Sequence, residues 1–148
     1  MKISTKGRYG LRAMIDLAIN STGDHVSLNS IAERQNVSEN YLEQVFSTLR
    51  KAGLVKSIKG AQGGYILANR ASSITVGDIL RALEGDLSVV DEAVEGKSGS
   101  LNMEECLSKN VWGKINESIT AVIDSTTLED LVNEYKKLNG NLSLMFYI

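Results

Sequence analysis

The sequence has no proline, one cysteine (Cys106), one histidine (His25) and one tryptophan (Trp112). Without proline, its turns must be made by Gly, Asn, Asp and Ser. A single cysteine excludes an internal disulfide and fits a reducing cytosol. No apolar run approaches the roughly 18 residues of a spanning helix, so no membrane span is expected. Residues 1–10 are polar and basic with no apolar stretch behind them, so no signal peptide is read and a cytoplasmic location is expected. His25 sits in a turn far from Cys106 in sequence, and a Cys–His pair would lack a third, orienting group; it reads as a surface residue. Gly96-Lys97-Ser98 resembles the end of a phosphate-binding loop, but Asp91 stands where that loop needs glycine, and Glu92 and Glu95 would repel phosphate. No catalytic residue is assigned, and an enzyme is not expected.

What is present is an ordinary globular composition with uneven charge. Of 148 residues, 43% are hydrophobic and 23% charged, for a net charge of −2. Residues 1–70 hold ten basic and five acidic groups, a balance of +5, and residues 71–148 hold six and thirteen, a balance of −7. A cationic half joined to an anionic half suggests one surface for a polyanion and another for different work.

Periodicity places the elements. Gly10, Met14, Leu17 and Ala18 predict a helix over 6–20, ended by Ser21-Thr22-Gly23-Asp24. Ser27 is an N-cap for a second helix bearing Leu28, Ile31 and Ala32. After the turn Gln35-Asn36-Val37, Ser38 caps a third helix with Leu42, Val45, Phe46 and Leu49 on one face. Its other face carries Asn40, Glu43, Gln44, Ser47 and Lys51, and Gly53 closes it. Two short helices joined by a tight turn make a helix-turn-helix. Residues 54–59 read as a strand, 60–64 as a glycine-rich turn and Tyr65-Ile66-Leu67 as a returning strand, which makes a wing. Thr75 and Asp78 cap a short helix, and residues 91–105 read as a loop. A long helix is expected over 106–124, with Val111, Ile115, Ile119 and Val122 in a stripe and Trp112 and Ile123 beside it. Thr126 and Glu129 cap a last helix to about residue 137. Asn139-Gly140-Asn141 then turns into an apolar tail.

The expected fold is therefore mostly α with a small β-hairpin. A winged helix-turn-helix (1–85) is followed by a flexible loop (86–105), then a dimerisation helix, a short helix and a tail (106–148). The apolar stripe of residues 111–123 is wider than a surface helix needs, and helix-turn-helix proteins generally engage two half-sites, so a homodimer is expected. Candidate phosphate contacts on double-stranded DNA are Thr5, Lys6, Arg8, Arg50, Lys51, Lys56 and Lys59, with Gly60, Gly63, Gly64 and Tyr65 completing the wing. Candidate base readers are Ser38, Asn40, Tyr41, Glu43 and Gln44: glutamine bonds adenine in bidentate fashion, and glutamate accepts from cytosine. From periodicity alone Glu43 and Gln44 read equally as solvated helix residues, and a protein-interaction module without specific DNA binding stays open beside the DNA reading.

The motifs together resemble the Rrf-two family of winged-helix regulators, of IscR and CymR type. The resemblance is carried by Met1-Lys2-Ile3-Ser4-Thr5-Lys6-Gly7-Arg8-Tyr9-Gly10, by the stretch from Ser38 through Leu42 to Phe46, by Lys59-Gly60-Ala61-Gln62-Gly63-Gly64-Tyr65 and by Ile74-Thr75-Val76-Gly77-Asp78-Ile79. It implies a regulator, read as a repressor, acting as a homodimer on a pseudo-palindromic operator. Helix three would lie in the major groove and the wing at the minor groove. Lys59 stands where some family members have arginine, keeping the charge without the planar fork.

Two branches of the family imply different signals. The IscR-type branch holds an iron–sulfur cluster on Cys-x5-Cys-x5-Cys-x2-His. Here Cys106 matches the third cysteine, while Val94, Ser100 and Lys109 occupy the other positions, so no cofactor is expected. Cys106 is left as a helix-start residue or a redox-sensitive thiol, the helix N-terminus favouring its thiolate. The CymR-type branch, which controls cysteine and sulfur metabolism, is resembled more closely, in Asp124-Ser125-Thr126-Thr127-Leu128-Glu129-Asp130-Leu131 and in the terminal Met145-Phe146-Tyr147-Ile148. That resemblance implies O-acetylserine thiol-lyase as a partner, captured through the Ile148 carboxylate and side chain with Met145, Phe146 and Tyr147 flanking. The other reading packs this tail on the protein's own core.

Overall fold

The first half of the chain starts its helices on hydroxyls. In the computed structural model, which describes residues 2–90 and 101–147 (backbone alone at 101 and 142–147), the order is α1 (Thr5–Asn20), α2 (Leu28–Gln35), α3 (Glu39–Lys51), β1 (Val55–Ile58), β2 (Gly64–Leu67), a 3-10 turn (Ala71–Ser73), α4 (Val76–Glu84), α5 (Leu101–Leu107), a π-helical turn (Ser108–Trp112), α6 (Gly113–Ser125) and α7 (Leu128–Tyr147). The hydroxyls of Ser4, Ser27 and Ser38 accept from the amides of Gly7, Ser30 and Tyr41 at 3.3, 3.2 and 3.1 Å. Each satisfies a helix-start donor that would otherwise be orphaned. Thr75 and Asp78 form a reciprocal box at 3.0 Å. The α2–α3 turn is made by Asn36, held at φ 55° and ψ 50°, a left-handed conformation asparagine tolerates.

The apolar faces of these elements close one core. Met14 and Leu17 of α1, Ile31 of α2, Leu42, Phe46 and Leu49 of α3, Val55 of β1, Ile74, Ile79 of α4 and Leu128 of α7 are all fully buried there. The two strands pair antiparallel, Val55 opposite Leu67 and Ile58 opposite Gly64. Val26 adds an isolated antiparallel bridge to β2 by exchanging backbone hydrogen bonds of 2.9 and 2.8 Å with Tyr65. A side chain at Gly64 would put its Cβ 2.3 Å from the Val26 carbonyl oxygen, so the wing needs glycine there.

Helix α4 is apolar on two sides. Ile79 and Leu83 face α1 and the main core, while Val76 and Leu80 pack with Leu87 and Ile123 in a second cluster. Its Arg81 grips Asp124 of α6 through two hydrogen bonds of 2.6 and 2.9 Å. The segment after α6 returns to the first half: Thr75 and Thr127 form a bridge, with Val76 N–H donating to the Thr126 carbonyl and Leu128 N–H to that of Ile74.

Several boundaries differ from the expectation. Helix starts at Leu101 rather than 106, because nothing between 101 and 112 breaks it; the glycine and serine that suggested a loop lie in 91–100, outside the described residues. The last helix runs to Tyr147 through the expected turn. Gly140 costs a helix only about 1 kcal/mol, and Lys137, Leu138 and Leu142 around it are good helix formers. The α7 cap is Thr127 with Asp130, reciprocal at 3.0 Å, one residue beyond the expected pair, since the Thr126 hydroxyl donates to the Val122 carbonyl. Within 106–148, Leu128 sits in the core built by the first half.

Two outcomes follow. Leu128→Ala is expected to lower unfolding stability by about 2–5 kcal/mol, read by urea denaturation, and a loss below about 1 kcal/mol would contradict its place in the core. Hydrogen bonds from Arg81, aided by its charge, hold the Asp124 carboxyl below the usual carboxylate range against a small opposing effect of desolvation. The pair's contribution is therefore complete at neutral pH and disappears as pH falls through the depressed value. Thermal unfolding should separate the parent from Asp124→Asn at pH 7 and bring them together once the pH is below the ordinary carboxylate range; a pH-independent difference would assign the effect elsewhere.

Candidate nucleic-acid interface

The outer face of α3, the wing and the start of α2 enclose an open groove of about 530 Å³. Asn29, Glu39, Glu43, Arg50, Ile58 and Lys59 line it. Because Leu42, Val45, Phe46 and Leu49 are held inward, helical geometry turns Asn40, Glu43, Gln44, Arg50 and Lys51 outward, and all five are exposed. At the groove's end, Asn29 donates to the Glu39 carboxylate at 3.2 Å, tying the start of α2 to the start of α3.

Two expected base readers have contacts within the fold: Ser38 is exposed and caps α3, and Tyr41 turns inward. The Ser38 hydroxyl is engaged in capping α3. Tyr41 is half-buried, with its ring edge-on to Tyr9 at 6.4 Å and 87°. Its hydroxyl is buried without a hydrogen-bond partner among the described residues. It falls one position after Asn40, which rotates it about 100° toward α1. Asn40, Glu43 and Gln44 remain on the open face.

The cationic candidates divide in the same way. Thr5, Arg8, Arg50, Lys51, Lys56 and Lys59 are exposed. Lys6 is half-buried, its ammonium donating to the Thr48 hydroxyl at 3.4 Å beside α3. Arg8 reaches the Thr5 hydroxyl at 3.5 Å. In the wing Gly60 takes φ 129°, which glycine alone adopts readily, and Gly63 donates to its carbonyl at 3.1 Å. Tyr65 is not a tip residue: its ring packs on Phe46 with centroids 5.0 Å apart.

Sequence reading missed the groups that aim the helix pair. Asp16, 4% exposed, is the buried charge among the described residues. Its carboxylate accepts from Arg34 Nη2 at 2.8 Å, Gln35 Nε2 at 2.8 Å and Asn20 Nδ2 at 3.1 Å. That hydrogen bonding raises Arg34 above its ordinary pKa. Arg12 donates to Gln35 and lies 4.9 Å over the Tyr9 ring. A continuous polar and aromatic path thus runs from α2 across α1 to Tyr41 on α3. The one signal available was Asp16 standing at helical spacing among apolar residues.

The candidate dimer stripe splits. Ile123 is buried in its own domain and Ile119 packs beside it, while Val111 and Trp112 are half-buried. Ile115 and Val122 are 40% and 64% exposed, and Leu107 and Met103 extend the bare apolar face along α5 at 41% and 73%. Cys106 is exposed in the last turn of α5 rather than at a helix start. Around the expected ligand positions, the Cys106 sulfur contacts Asn110, Lys109 pairs with Glu105, and His25 stands at the wing. Among the described residues no three His, Cys, Asp or Glu side chains converge. Ile148 lies outside the described residues, as do the side chains of Met145, Phe146 and Tyr147. No helix is long and apolar enough to cross a membrane among the described residues.

Residues 3–134 match the family model Rrf2, described as an iron-dependent transcriptional regulator. The chain is 51% identical to the HTH-type transcriptional regulator CymR of Bacillus subtilis (strain 168) over 133 residues, 90% of this chain and 91% of that one. It is 42% identical to the HTH-type transcriptional regulator IscR of Escherichia coli (strain K12 / DH10B) over 139 residues, 94% and 85% of the two chains. The solved structure of CymR (YrzC), the global cysteine regulator of B. subtilis, superposes with a TM-score of 0.77 at 48% identity, covering 90% of this chain and 98% of that one. These relatives are regulators and not enzymes, and with the winged helix-turn-helix found here they establish that this chain belongs to the Rrf2 family of DNA-binding transcriptional regulators.

Proposed function

We propose that the chain is a homodimeric repressor that reads a pseudo-palindromic operator through α3 and the wing and answers to cysteine supply. The observation that carries the reading is the open groove where the polar residues of α3 stand beside Lys59 and the glycine turn. Asn40, Glu43 and Gln44 face base edges in the major groove. Glu43 serves where it meets a donor such as the cytosine amino group, since phosphates repel it elsewhere. Thr5, Arg8, Arg50, Lys51, Lys56 and Lys59 grip phosphates, with Lys6 supporting from its half-buried place. The bare face of Met103, Leu107, Ile115 and Val122 is the dimer seam, which sets two recognition helices one groove repeat apart.

Control of cysteine metabolism is supported by the likeness to CymR, the global cysteine regulator of B. subtilis. On this reading O-acetylserine thiol-lyase binds the C-terminal residues Met145, Phe146, Tyr147 and Ile148. Because α7 is helical to Tyr147, the enzyme meets the end of a helix rather than a free strand. No iron–sulfur cluster belongs to the proposal, since Cys106 is the chain's one cysteine.

Selection from a pool of random duplexes tests the DNA reading. A consensus with two inverted half-sites is expected, with affinity falling steeply as salt rises. Lys59→Glu should weaken binding to all sequences, whereas Gln44→Ala should relax one base position by about 1–3 kcal/mol. Recovery of no consensus, or equal effects of both changes on every sequence, would sink the assignment of reader and wing. Calorimetric titration with O-acetylserine thiol-lyase from the same organism tests the partner: binding should vanish in a chain lacking residues 145–148, and binding retained by that chain would move the contact elsewhere.

A further inference from the structure

The wing turn has little of its own to hold it in place. Gly60, Gly63 and Gly64 fall within five residues, and glycine loses the most conformational entropy on ordering. Ala61 and Gln62 between them are exposed, so no apolar contact fixes the tip. The strand rungs stop at Ile58 opposite Gly64. Beyond them the turn has one internal hydrogen bond, Gly63 to Gly60.

A side chain from another loop reaches it. His25, in the segment between α1 and α2, is half-buried, and its Nε2 donates to the main-chain carbonyl of Gln62. On the other side of the ring, Nδ1 lies 3.0 Å from Asp24 Oδ1. That same oxygen accepts from the His25 backbone amide at 2.8 Å. The next residue, Val26, makes the paired backbone bonds to Tyr65 at the base of the wing. Residues 24–26 therefore touch the wing at its base through the main chain and at its tip through one ring.

We propose that His25 is a positioning residue for DNA binding: it clamps the glycine turn to the α1–α2 segment and so fixes where Lys59 meets the duplex. The clamp acts through a backbone carbonyl, so it holds the course of the wing and not one side chain. This rests on the reading of the wing as a DNA contact. A flexible wing would have to be ordered on every binding event, and a clamped one is ordered in advance.

Three measurements on the full chain test it. In His25→Ala, amide hydrogen exchange at Gly63 should quicken roughly twofold to tenfold, the span one net side-chain hydrogen bond covers, with the thermal midpoint lowered by no more than a few degrees. Affinity for the tightest duplex recovered from the random pool should fall by about the same factor, and His25→Gln, whose amide can reach the same carbonyl, should restore both. Combined with Lys59→Ala, the losses should be less than additive, because both act through the wing. Unchanged exchange in His25→Ala would overturn the clamp. Faster exchange with unchanged affinity, or fully additive losses, would overturn its positioning role. The exchange measurement needs no DNA: if the wild-type chain selects no duplex, the DNA reading and the positioning role fall together, and exchange still decides the clamp.

Discussion

The close crossing of α4 over α1 holds the two halves of the molecule in one frame. A side chain at Gly10 would bring its Cβ to 2.2 Å from a Leu83 methyl, and one at Gly7 to 2.4 Å from Glu84 Oε1. Because both positions are bare, the helices approach closely enough for Glu84 to serve the start of α1. Its carboxylate accepts from the Ser4 amide and hydroxyl and from the Gly7 amide, at the helix end where negative charge is favoured. The same device recurs across α4: Gly77 leaves room for Asp124, whose carboxylate pairs with Arg81. Helix α4 is thus locked to α1 on one side and to α6 on the other.

The orientation of the helix-turn-helix depends on polar contacts as well as on the core. Apolar packing of Ile31, Leu42 and Phe46 is non-directional; the Asp16 carboxylate is not. Arg34 meets it with two nitrogens, and Gln35 and Asn20 take further lone pairs. A buried charge left unpaired is costly, so the network admits few rotations of α2 about α1. The position of α3 follows through the Asn36 turn, and Tyr9 and Tyr41 close the path on the α3 side. The groove that faces outward is a consequence of these inward contacts.

The two halves of the sequence dispose their charge differently. The first exposes Arg50, Lys51, Lys56 and Lys59 around α3 and the wing. The second pairs part of its acid internally, Asp124 with Arg81 and Glu105 with Lys109. It leaves Met103, Leu107, Ile115 and Val122 bare on one side of α5 and α6. The π-helical turn at Ser108–Trp112 lies between the two parts of that face and resets its phase, so no strict heptad describes it.

Local signals were legible from the chain alone. Hydroxyl caps, apolar spacing and glycine turns placed α1 to α4 and both strands within a residue or two, since each rests on contacts between near neighbours in sequence. The exposure of Asn40, Glu43 and Gln44 was legible for the same reason, as the face opposite Leu42, Val45 and Leu49. Contacts between distant residues were not. Glu84 as a cap for α1, Asp16 as the carboxylate that aims α2, Tyr41 turned inward on Tyr9 and His25 on the wing join residues 18 to 80 positions apart, and apart from Asp16 among its apolar neighbours nothing local marks them. The stripe of 111–123 was read correctly as apolar but not as two faces, because only packing against α4 decides which side Ile119 and Ile123 take. The sequence by itself determined the elements and the kind of surface each presents. Tertiary structure alone decided which of those surfaces stay open, because burial and pairing of polar groups are settled between elements that meet only when the chain is folded.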